Sequence, residues 1–74
     1  MKIKAKTVYL DTEGGFWGLE TKKSQYLPIN YPEQLKTSGI MTECNIELMP
    51  DVESQYSWGM VCRLISFKTL TPYN

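Results

Sequence analysis

A chain of 74 residues has room for one domain and buries only about 60% of the surface its unfolded form exposes, so its stability margin is thin. With 42% hydrophobic and 22% charged residues it falls outside the disordered, collagen-like and coiled-coil classes. Eight basic residues balance eight acidic ones, so no net field draws the chain onto nucleic acid or anionic lipid. Histidine, the usual general base and commonest metal ligand, is absent.

The N-terminal stretch Lys2-Ile3-Lys4-Ala5-Lys6 lacks the apolar core of a signal peptide, and no later run approaches the ~20 apolar residues of a membrane span. A cytoplasmic location without a membrane anchor is the expectation. Lys2 to Leu10 reads as a long first strand. Its apolar residues move from odd positions (Ile3, Ala5) to even ones (Val8, Leu10), which predicts a bulge or sharp coil near Thr7. Asp11 to Gly15 is a turn, and Phe16 to Thr21 a second strand rich in residues that suit a pleated surface. Lys22-Lys23-Ser24 turns the chain again, and Gln25 to Ile29 forms a short third strand that Pro28 confines to an edge or an end.

Pro32 to Lys36 has the proline, glutamate and lysine order of a short helix of roughly two turns, closed by Gly39. Ile40 to Met49 alternates cleanly. Ile40, Thr42, Cys44, Ile46 and Leu48 are assigned to the core, and Met41, Glu43, Asn45, Glu47 and Met49 face outward. Pro50 to Ser54 turns the chain into a last long strand, Gln55 to Leu70, with Gly59 as a bend. Thr71 to Asn74 is a loose tail. The order is strand, strand, strand, helix, strand, strand. It predicts a single all-β domain over residues 1–74, a five-stranded Greek-key barrel of the oligonucleotide/oligosaccharide-binding (OB) type. An SH3-like barrel carries its helical turn between the last two strands and fits less well.

Gly14-Gly15-Phe16-Trp17-Gly18-Leu19, Tyr26-Leu27-Pro28-Ile29-Asn30, the Pro32 to Lys36 segment and a late Trp58-Gly59 together resemble small bacterial and archaeal OB-like barrel proteins. The likeness spans nearly the whole chain. It implies an OB-like barrel and supplies no catalytic residue.

Chemistry is sparse. Cys44 and Cys62 lack zinc spacing and are too few for a disulfide scaffold. They lie on one hairpin that would bring them near each other, and buried reduced thiols are the expectation over a redox pair. No enzyme and no cofactor is expected. The aromatic set Tyr9, Phe16, Trp17, Tyr26, Tyr31, Tyr56 and Trp58 admits two readings, stacking platforms or barrel filling. The tryptophans favour filling, while Tyr26 and Tyr31 stay open. Lys2, Lys4 and Lys6 with Lys22 and Lys23 admit a phosphate track or cross-strand ion pairs to Glu43 and Glu47, the pairs being favoured.

The leading expectation is a non-catalytic adaptor or inhibitor that recognises a protein partner, or itself as a homodimer. Its surface would be the outward row Met41, Asn45 and Met49 with the acidic loops Asp11, Glu13, Asp51 and Glu53. The alternative is weak single-stranded nucleic-acid binding through Lys22, Lys23, Tyr26 and Tyr31, which those acidic loops oppose.

Overall fold

The computed structural model describes residues 1–70, which form one all-β sheet of five strands with almost no helix. The strands are β1 (Lys2–Leu10), β2 (Phe16–Glu20), β3 (Gln25–Pro28), β4 (Met41–Leu48) and β5 (Met60–Thr69). They follow one another as β1-β2-β3-β5-β4, and β4 returns to β1 to close the sheet. Every pairing is antiparallel except β3 with β5. No helix is long and apolar enough to cross a membrane, among the described residues. The tail expected at Thr71 to Asn74 lies outside them.

β1 closes the sheet by serving two neighbours. Lys2 to Lys6 pair with β4, and Lys6 to Leu10 pair with β2. Both registers run unbroken, so of the bulge or sharp coil expected near Thr7 the bulge is absent, and the strand instead changes partners at Lys6. Thr7 is itself fully buried; its hydroxyl donates to the Thr37 carbonyl and accepts from the Ile40 amide at 2.9 Å. The irregularity lies between β4 and β5 instead. Asn45 faces Ser66 and Ile46 faces Leu64, leaving Ile65 as the extra residue. The inward side of β5 therefore moves from Cys62 and Leu64 to Phe67, which packs against the core opposite Cys44.

That core joins Ala5, Leu19, Tyr26, Leu35, Cys44, Ile46, Cys62 and Leu64. The alternation of β4 holds for Thr42, Cys44 and Ile46, all fully buried, whereas Ile40 is half-buried ahead of the strand. Leu48 departs from the expectation. It stands opposite the buried Cys62 but ends its strand, and it is 40% exposed.

Two further expectations are corrected. Pro32 to Lys36 makes only a single 3-10 turn, Glu33–Leu35, in place of two turns of helix. Pro32 is extended and offers no side-chain cap, and Lys36 leaves helical geometry at ψ 58°, after which Thr7 holds Thr37 and Ile40. The turn's anchor is Leu35, whose burial contributes about 1.5–3 kcal/mol. The last strand begins at Met60, not Gln55. Ser54 Oγ accepts from the Tyr56 amide and donates to the Tyr56 carbonyl, a local pairing that competes with a strand ladder. Asn30 does the reverse after β3, since its side-chain amide bonds both the amide and the carbonyl of Leu64 and so extends the sheet.

Candidate functional site

The two-residue period of β2 sends Leu19 and Trp17 to one side and Phe16 and Gly18 to the other. Leu19 enters the core, so Phe16 and Gly18 lie on the outer face, yet Phe16 is only 6% exposed. Its cover is the 49–59 connection. The Tyr56 ring stacks on Phe16 at 4.0 Å and 16°, and Trp58 meets Phe16 edge-on at 5.9 Å. The Trp58 ring fills the space that a β-carbon on Gly18 would need, which is why glycine stands there. Gly59, at φ 74° against the Gln25 backbone, lets the chain turn from this cover into β5. The loops are tied as well, for the Ser57 amide donates to the Glu13 carboxylate at 3.1 Å.

Trp17 begins a second aromatic group on the side of the sheet that Leu19 faces. It packs on Tyr9 at 5.1 Å and stacks on Tyr31 at 6.0 Å and 24°. The Tyr31 hydroxyl donates to the Leu35 carbonyl at 2.7 Å. Burial first, and the nearby Cys44 second, push the Tyr31 phenol far above its ordinary range, so it is a fixed neutral donor.

Between the two groups opens a cleft of about 580 Å³. Phe16, Trp17, Leu27, Ile29, Tyr31, Tyr56 and Val61 supply its apolar wall. Its charged lining residues are Glu53 and Lys36, and Lys36 is paired with Glu33 at 2.5 Å. The cleft can therefore take flat or apolar groups, and its Glu53 carboxylate has no ion-pair partner among the described residues.

Of the predicted site residues, Glu53 and Tyr31 meet at this cleft. Met41 and Asn45 lie on β4 and Met49 one residue beyond its end; Met41 lines a groove with Lys2 and Lys4, and Met49 a separate depression with Leu48 and Arg63. Asn45 also accepts a bond from the N-terminal amine at 3.2 Å. Asp11 is exposed beside the engaged Glu13, and Asp51 lines a separate depression with Leu48, Val52 and Arg63. Tyr26 is 7% exposed and belongs to the core, so it presents no open ring for stacking.

The favoured ion pairs of the lysines are corrected. Glu47 is bound by Arg63 at 2.6 Å, and Lys4 stands opposite Glu43 in register without an ion pair among the described residues. Cys44 faces Phe67 and Cys62 faces Leu48, so the hairpin does not set the thiols opposite each other. Both are free and buried.

Leu27, Ile29 and Val61 were not anticipated as lining. Their signal was faint: a parity opposite to that of Tyr26 and Cys62, on a third strand of four residues and at the very start of β5. No family model matches this chain, and neither a curated protein nor a solved structure does.

Proposed function

We propose that this chain is an OB-like Greek-key barrel serving as a non-catalytic binding module, and that its ligand is an extended segment of a partner protein seated in the aromatic cleft. The strand order β1-β2-β3-β5-β4, with a shared first strand and β3 parallel to β5, supports the OB-like reading. The carrying observation is the composition of the cleft. Rings and aliphatic side chains form its wall, while its one lysine is already paired and its other charge is acidic. A protein segment anchored by an aromatic or aliphatic side chain suits that wall. A phosphate backbone meets Glu53 and finds no unpaired cation there among the described residues.

Single-stranded nucleic acid is the second reading. It gains from the exposed Lys22 and Lys23, but they line a different groove from Trp17 and Tyr31. Strand binding combines a cationic track with stacking rings in one channel, and here the two are separated.

Titration by NMR decides between them. A short peptide carrying leucine and phenylalanine is expected to shift the amide signals of Trp17, Tyr31 and Tyr56, and oligothymidylate at physiological salt to leave them in place. Shifts of those amides by oligothymidylate, with none by the peptide, overturn the proposal.

A further inference from the structure

Lysine takes every second residue in the first half of β1, and Lys2, Lys4 and Lys6 meet Lys22 and Lys23 of the β2–β3 turn around a groove of about 910 Å³. Five of the eight basic residues thus surround one groove of a chain whose net charge is zero, and Glu20 is the acidic residue that lines it. Glu43, opposite Lys4, lies on the β4 side of the strand. Ile3, Tyr26 and Met41 give the groove its apolar floor.

The backbone of β1 is unfinished at this place. Met1 exchanges bonds with Ile46 in both directions, and the Thr7 amide bonds the Ile40 carbonyl, so the odd residues of β1 direct their amides and carbonyls to β4. Lys2, Lys4 and Lys6 direct theirs to the other side. There the register with β2 starts at Lys6, because β2 ends at Glu20 and the chain turns away through Thr21 and Ser24. Lys2 and Lys4 therefore present a free strand edge along the groove, among the described residues.

We propose that an extended acidic peptide of a partner protein adds to this edge as a strand, in line with β2 and beside Lys2 to Ala5. Adjacent strands share their faces, so alternate side chains of the added strand would stand beside Lys2 and Lys4, with Lys22 and Lys23 nearby, and the others would lie on the side of Ile3. Acidic residues alternating with apolar ones satisfy both rows at once. The main chain supplies affinity and the lysines select the partner. The same lysines disfavour a second copy of this chain at the edge, because its β1 would bring like charges into register. Oligonucleotides match the charge but have no amide ladder to pair with Lys2 and Lys4.

The test uses the full chain and a peptide that alternates glutamate with valine. It is expected to bind and to weaken with salt. It should slow hydrogen exchange at the Lys2 and Lys4 amides. The pair of substitutions Lys22→Glu and Lys23→Glu, in an exposed turn, should weaken binding about tenfold or more, and Lys68→Glu should not. An otherwise identical peptide N-methylated at alternate residues should also lose about tenfold or more, since it keeps the charges and lacks the main-chain donors. Equal binding of the N-methylated peptide, tighter binding of oligothymidylate, self-association through the edge, or no binding at low salt would each overturn the proposal.

Discussion

The six-membered ring of Trp58 occupies the space that a side chain at Gly18 would require. This contact holds the 49–59 connection against the outside of β2, and with it Tyr56 and one wall of the aromatic cleft. Gly18→Ala should therefore destabilise by about 1–3 kcal/mol through overpacking. In a Trp58→Ala background the same change should cost almost nothing, because the space is vacated. A double-mutant cycle from denaturant melts measures the difference. Equal costs in both backgrounds would show that the loop is not seated on β2.

Trp17 is half-buried at the cleft, where its ring contacts Tyr9 and Tyr31. Each ring pair is worth about 0.5–1.5 kcal/mol beyond area burial, so the two lost pairs alone should contribute about 1–3 kcal/mol to the cost of Trp17→Ala. Leu19→Ala, at a fully buried core position, should cost about 2–5 kcal/mol although the side chain is smaller. Melts of the two variants in urea rank them. A Trp17 variant that is the less stable of the two would place its ring in the core and remove it from the candidate site.

Much of this arrangement was legible in the alternation of Ile40 to Met49, because an antiparallel strand buried on one face writes that burial into every second residue. The extra residue Ile65 was not legible, since it shifts the inward set from Leu64 to Phe67 without leaving a turn residue behind. Gln55 to Gly59 looked like strand because tyrosine and tryptophan favour strands. They serve instead as an outer layer, and only the three-dimensional path of the loop shows which surface they cover. The same limit applies to the site. The aromatic residues stood out as a set, but sorting Tyr26 into the core, Tyr56 and Trp58 into the cover, and Trp17 and Tyr31 into the cleft required the closed sheet. The lysines stood out too, and it is closure between β1 and the β2–β3 turn that gathers them.

Thr7 carries the strap between the 3-10 turn and β4. Its hydroxyl satisfies the Thr37 carbonyl and the Ile40 amide at once, at a fully buried position. Thr7→Val keeps the shape and removes both bonds, leaving the Ile40 amide without this partner. A loss of about 1–3 kcal/mol is expected, together with faster hydrogen exchange at Ile40 and Gly39 than at the core of β4. Uniform exchange changes across β4 would mean that Thr7 acts through packing alone.

Cys62 is fully buried, and burial first, then the neighbouring Cys44, raise its thiol from 9.0 to about 11. Burial also raises Cys44, against a smaller opposing effect of its hydrogen bond with Thr42. A folded pKa above the unfolded one means that the unfolded chain releases the proton first. The stability held by the protonated thiol is thus complete below about pH 9 and is lost as pH rises toward 11. At 1.36 kcal/mol per unit the loss is on the order of 3 kcal/mol. Melting temperatures should fall between about pH 9 and 11, and Cys62→Ala should flatten that fall while lowering the melting temperature at neutral pH through the lost sulfur contacts. The buried Tyr31 phenol acts in the same direction at higher pH, so some slope should survive in the variant. In the native protein both thiols should resist alkylation at pH 8 and react only as the chain unfolds. Prompt labelling of either one under native conditions would mean that the sheet opens there, and the predicted pH profile would fail with it.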